Sequence, residues 1–187
     1  MIAGEKRSPR GAKVLPTSRA AIRGMTDAMR GEFGETVPYV EVASFIEHKL
    51  FKKYEIVLAP KGREVLGDLE GRSYPDRRRI ELRDDVYELL VAGQARARFT
   101  AIHEVGHVFL HQGVALRFTE GPSDHDYHED SEWQADAFAA EFLMPLYMIK
   151  ALKLQNAAAL AKTFGVSMGA AIIRFNILKT EGKIPMS

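Results

Sequence analysis

The stretch His103-Glu104-Val105-Gly106-His107 decides how the rest of the chain is read. Residues four apart on an α-helix lie on one face, about 6 Å from each other, so both imidazoles can converge on a single ion. Glu104 sits roughly 100° further round the helix, where its carboxylate reaches a water on that ion without joining the ligands. Zinc lowers the pKa of bound water to about 7, so a neighbouring carboxylate can take its proton at neutral pH and deliver it to a leaving amine. Hydrolysis of an amide bond is the chemistry implied. Phe99, Ile102, Val105, Gly106, Phe109 and Leu110 form an apolar stripe at three and four spacing, so the flanks predict a helix. A merely structural helix would have to find a buried partner for each of the two imidazoles and the carboxylate in that stripe.

A catalytic zinc site ordinarily takes three protein ligands and leaves one position for water. His111 continues the same face, but a helix rises about 12 Å over eight residues, too far for it to share an ion with His103. A metzincin would need Gly at 110 and His at 113, whereas Leu110 and Gly113 stand there. The remaining candidates lie on a second predicted helix, Ser131 to Pro145, with Ser131 and Gln134 as a capping box and Ala135, Phe138, Ala139 and Phe142 as its buried stripe. Glu132 and Asp136 share its other face. One of them can bind the ion while the other accepts the free ring N–H of a ligand histidine, and spacing leaves the order open.

Residues 98–107 and 132–145, Arg-Phe-Thr-Ala-Ile-His-Glu-Val-Gly-His and Glu-Trp-Gln-Ala-Asp-Ala-Phe-Ala-Ala-Glu-Phe-Leu-Met-Pro, resemble the ImmA/IrrE family of bacterial and phage metallopeptidases. The resemblance implies an α+β fold with a gluzincin-like core. It also implies one zinc ion held by His103, His107 and Glu132, with Glu104 as catalytic base; Asp136 is then the carboxylate left to support a ligand histidine. Members of that family cleave helix-turn-helix repressors of the Xre type, switching on phage, mobile-element or stress genes, so a repressor is the substrate implied by analogy. The alternative is a non-proteolytic binding protein, or a toxin component paired with an antitoxin, on the same scaffold.

Composition sets bounds around this site. A chain of 187 residues with 46% hydrophobic content can bury a sizeable core, and a formal charge of +1 creates no global field for nucleic acid or membrane. With no cysteine, disulfides, thiolate ligands and a cysteine nucleophile are excluded, so any zinc is held by nitrogen and oxygen. Met1 to Arg7 lacks the apolar run of a signal peptide, and the expectation is a cytoplasmic protein.

In chain order, residues 1–17 carry Lys6, Arg7, Arg10 and Lys13 among Gly and Pro and read as a mobile basic tail, leaving 18–187 as one metallopeptidase domain. Helices are expected over Ser18 to Arg30 and from Pro38 to about Lys52. Tyr54 to Ala59, Glu64 to Leu69 and Arg79 to Leu82 read as about three strands of a small antiparallel sheet packed with a helical bundle. By analogy with gluzincins, Arg79, Ile80, Glu81 and Leu82 form the edge strand to which extended substrate adds. Arg77-Arg78-Arg79 reads as a solvated tip or a contact for an acidic patch on a protein substrate. Asp84 to Ala92 is a short helix. The stretch from Gly113 to Asp130 is a loop rich in ligand types, with Glu120, a turn at Gly121-Pro122, and Asp124; its His125, Tyr127 or His128 is a candidate donor to the oxyanion. Near the C-terminus, Leu160 to Arg174 has the outline of a helix-turn-helix, but its second helix presents mostly Ala, Ile and Gly. A packing hairpin is expected there in place of a DNA reader.

Overall fold

The computed structural model describes residues 10–114 and 125–185. Glu120, Gly121, Pro122 and Asp124, and the first nine residues of the predicted tail, lie outside the described residues. Helix α1 (Arg19–Glu32) starts where the Ser18 hydroxyl accepts from Ala21 N–H at 3.2 Å. It passes Gly31, and Gly34, at φ +67°, turns the chain. The helix expected from Pro38 begins at Val42: α2 (Val42–Ser44) and α3 (Phe51–Tyr54) are joined by a wide π-helical segment, Phe45–Leu50. Val42, Phe45, Ile46 and Leu50 are all buried, as the apolar spacing requires.

Strand β1 (Val57–Lys61) leads into a single helical turn, α4 (Arg63–Leu66), where a strand was expected over Glu64 to Leu69. Gly67, at φ +61°, closes that turn and puts Leu66 inward with Val65 half exposed, which an alternating strand reading could not anticipate. Strand β2 (Gly71–Tyr74) then returns through the tight turn Pro75–Arg77 into β3 (Arg79–Arg83). The sheet is three-stranded, in the order β1-β3-β2. The β2–β3 hairpin is antiparallel, whereas β1 pairs with β3 in parallel, because the chain after β1 crosses over through α4 and β2 before β3 begins.

Next come α5 (Asp84–Val91), the long α6 (Ala95–Leu110), a tight turn at Tyr127–Glu129 and α7 (Ser131–Leu143). After these, α8 (Leu146–Ala151), α9 (Ala157–Phe164) and α10 (Met168–Thr180) complete the described chain. One flank of α6 packs on α7 and another on β2 and β3. The approach of α6 to α7 depends on Gly106: a methyl group there would come within 3.0 Å of Phe138 Cβ and 3.2 Å of the Ala135 Cα. Behind this contact the ring of Phe142 meets Phe45, 5.0 Å between centroids.

The hairpin of α9 and α10 turns on Gly165 (φ +62°) and Ser167, whose hydroxyl caps α10 at Ala170 N–H, 3.1 Å away. Arg174 of the second helix is fully buried and forms a two-pronged ion pair with Glu141 of α7. It holds the hairpin to the core. Among the described residues no helix is long and apolar enough to cross a membrane.

The predicted mobile tail needs correction from Arg10 to Thr17. This segment is a strap laid along the start of α7, with Lys13 bridged to Asp130 and the N–H groups of Val14 and Thr17 donating to the carbonyls of Glu129 and His128 at 2.8 and 3.0 Å. Ala12 and Val14 are buried beneath it, an anchorage that the Gly and Pro composition conceals.

Candidate metal centre

Asp130, and not Ser131, caps α7: its carboxylate accepts from Trp133 N–H at 2.8 Å. Gln134, expected in a capping box, is turned inward instead. The cap places Glu132 in the first helical turn, where the helix dipole favours an anion, and aims it at α6. There the His103 and His107 Nε2 atoms stand 3.1 Å apart, and the two Glu132 oxygens lie 3.2 Å from one each. Bonds of about 2.0 Å in a tetrahedron imply ligand atoms about 3.3 Å apart, so the spacing of these three donors fits one ion such as zinc. Asp136 lies behind: its Oδ1 accepts from His103 Nδ1 at 3.0 Å, on the ring edge away from the Nε2 cluster. The geometry therefore separates the two carboxylates that spacing left interchangeable.

His107 is anchored in the same manner by a longer chain. With Nε2 facing the cluster, Nδ1–H donates to His111 Nδ1 at 2.9 Å, and His111 Nε2–H donates to Gln134 Oε1 at 3.1 Å. His111 is fully buried, and burial, then the neighbouring His107, pushes its pKa down to about 4, so it stays neutral and can accept on one nitrogen while donating from the other. Burial alone would also lower His103, but hydrogen bonds to Asp136 and Glu132 outweigh it and raise that pKa to about 10. Glu132 and Asp136 resist the upward push of burial through the same histidine contacts, and both are held below the ordinary carboxylate range.

Glu104 is buried against β2, where a methyl group at Gly71 would come within 3.0 Å of its Cγ and Oε1. The glycine lets the strand close on the carboxylate. Glu104, His103, His107 and Glu132 all open onto a cleft of about 960 Å³ with β2 and the Pro75–Arg77 turn along one wall and α6 with the start of α7 along the other.

One expectation is overturned. Arg79, Ile80, Glu81 and Leu82 form the middle strand, paired on both sides, and none of them lines the cleft; the free edge facing the site is β2, because β1 adds to the far side of β3. His125, Tyr127 and His128 are likewise absent from the cleft lining. The strap holds their turn through its backbone: His125 Nε2 lies 3.3 Å from Asp130 Oδ2, and the Tyr127 ring packs on Trp133 with centroids 5.0 Å apart. Sequence reasoning missed the placement of Arg10 on the cleft, where its Nη2 donates to Asp136 Oδ2 at 2.5 Å. It also missed the support that His111 and Gln134 give His107. The i, i+4 spacing of His107 and His111 was the available signal for the latter.

The family model described as Peptidase_M78, IrrE N-terminal-like domain, matches residues 71–176, more than half of the chain and the whole of the centre from β2 to Asp136. No curated protein matches the chain.

Proposed function

The chain belongs to the Peptidase_M78 family of IrrE N-terminal-like domains, and from that premise we propose that it is a zinc-dependent endopeptidase acting on a helix-turn-helix repressor. His103, His107 and Glu132 would hold one zinc ion, the choice of metal following from a nitrogen and oxygen donor set with tetrahedral spacing. When bound, the ion supplies Lewis acidity, lowering the pKa of a coordinated water and polarising the scissile carbonyl. Glu104 takes a proton from the attacking water on its cleft-facing carboxylate and passes it to the amide nitrogen as the bond breaks. Asp136 and His111 hold the two imidazoles in the tautomers that leave each Nε2 free. The unpaired edge of β2 offers backbone donors and acceptors to an extended segment of substrate, which would add as another strand and lie across Glu104.

The observation that carries this reading is the convergence of three donors beside Glu104 in a cleft with a free strand edge. The repressor rests on the likeness of residues 98–107 and 132–145 to the ImmA/IrrE family. The test is to incubate the zinc-loaded protein with a purified Xre-like repressor encoded beside it and to read intact masses. Two new fragments are expected from wild type and none with a chelator. Glu104→Gln is expected to retain zinc and cleave about 10²–10⁴-fold more slowly. Full cleavage by that variant would overturn Glu104 as base, and an uncut repressor in a tight complex would favour the non-proteolytic alternative.

A further inference from the structure

Both hydrogen-bond chains that run outward from the paired histidines reach the same short segment of chain, one at a side chain and one at a backbone carbonyl. From His103 the path goes through Asp136 to the Arg10 guanidinium, 3.0 Å and then 2.5 Å. From His107 it goes through His111 and Gln134, whose Nε2 donates to the Leu15 carbonyl at 2.8 Å. Arg10 and Leu15 belong to the strap, outside the 71–176 segment that the family model matches.

The strap also grips the helix that supplies Glu132. Arg10 N–H and Gly11 N–H donate to Asp130 Oδ2 at 2.7 and 2.9 Å, and Ala12 N–H donates to Ser131 Oγ at 3.0 Å. Gly11 lies so close to α7 that a methyl group on it would stand 2.3 Å from Ser131 Oγ and 2.8 Å from Glu132 Cγ. Only a glycine permits this approach, and it fixes where the Arg10 side chain enters the cleft.

We propose that residues 10–17 are a working part of the metal centre and that Arg10 is a positioning residue, holding Asp136 so that His103 presents Nε2 to the ion. A guanidinium at Asp136 Oδ2 leaves Oδ1 for the imidazole and fixes the plane of the carboxylate, an orientation that the helix alone does not impose. Arg10 makes this contact through Nη2 alone, so a lysine can supply the charge but not the rigid planar group that aims it. Partners at this remove from a metal typically change its affinity 10- to 100-fold. The inference rests on the zinc reading of the site, so its test must separate the two.

The experiment measures zinc affinity of the full chain by competition with a chromophoric chelator, together with cleavage kinetics, for wild type, Arg10→Ala, Arg10→Lys and His107→Ala. Arg10→Ala is expected to weaken zinc binding about 10-fold and to lower kcat at saturating zinc with KM unchanged. Arg10→Lys is expected to recover part of both, and the metal-free melting temperatures of the two Arg10 variants should coincide with wild type. Wild-type zinc affinity and kcat in Arg10→Ala would overturn the role of Arg10 while leaving the zinc reading intact. Equal zinc binding by wild type and His107→Ala would overturn the zinc reading itself, and this inference with it. A metal-free Arg10→Ala that melts lower, with equal losses in Arg10→Lys, would make the strap a structural prop only and also overturn the proposal.

Discussion

Helix α7 carries two acidic centres on one rod, and they are neutralised in opposite ways. At its C-terminal half, Glu141 is fully buried and meets the guanidinium of Arg174 through both oxygens, with Arg23 adding bonds at 2.9 and 3.1 Å. At its N-terminal half, Glu132 makes its ion pairs with two imidazoles, and the nearby Arg10 guanidinium pairs with Asp136. Permanent cations close the first centre, while at the second Arg10 pairs with Asp136 and Glu132 is left to two imidazoles, whose charge depends on a proton. A buried carboxylate is costly unless its charge is matched. On the function proposed above, the first centre holds the fold together and the second takes the ion.

The largest expected effect breaks the open centre. His107→Ala removes one of three donors and opens the chain to His111, so zinc retention through gel filtration should disappear and cleavage with it, while urea denaturation of the metal-free protein shifts little by comparison. Arg174→Met should do the reverse. It strips the main partner from a fully buried Glu141 and is expected to cost about 3 kcal/mol in urea denaturation of the metal-free protein, with zinc affinity per folded molecule unchanged. Coupled losses of metal and stability in both variants would erase the distinction between the centres.

A smaller effect sharpens it through pH. In the metal-free protein His103 has its pKa raised from 6.5 to about 10, so its protonated form contributes stability that is complete below pH 6.5 and is lost as pH rises toward 10. Glu132, lowered from 4.5, contributes stability above that value and loses it in acid. Zinc competes with the His103 proton, so its binding strengthens as pH rises. The gap between the melting temperatures of zinc-loaded and metal-free protein is therefore expected to widen from pH 6.5 to 9, measured by calorimetry at fixed total zinc. A constant gap would contradict the proton's place in the open centre.

What the sequence made legible follows from distance along the chain. His103, Glu104 and His107 lie within one turn and a little more of a single helix, so periodicity alone sets their geometry. Glu132 and Asp136 could be found as a pair because they share a helix face, but their order depended on the side of α6 to which Asp130 and Gly106 steer α7. The strand order was hidden, since Arg79 to Leu82 alternates equally well at an edge or in the middle, and the parallel partner β1 is fixed by the crossover. Arg10 was hidden most completely: its contact with Asp136 spans 126 positions, and nothing in a run of Gly, Arg and Lys announces it. The α4 turn was misread because Val65 and Leu66 fit either period over so few residues.

Anomalous scattering at the zinc edge, from crystals of the full chain grown with one equivalent of zinc, tests the account where it is most exposed. One peak is expected, about 2.0–2.2 Å from His103 Nε2, His107 Nε2 and a Glu132 oxygen, with Asp136 on the opposite edge of the His103 ring. A peak bonded to Asp136 in place of Glu132, or no peak between these side chains, would contradict it.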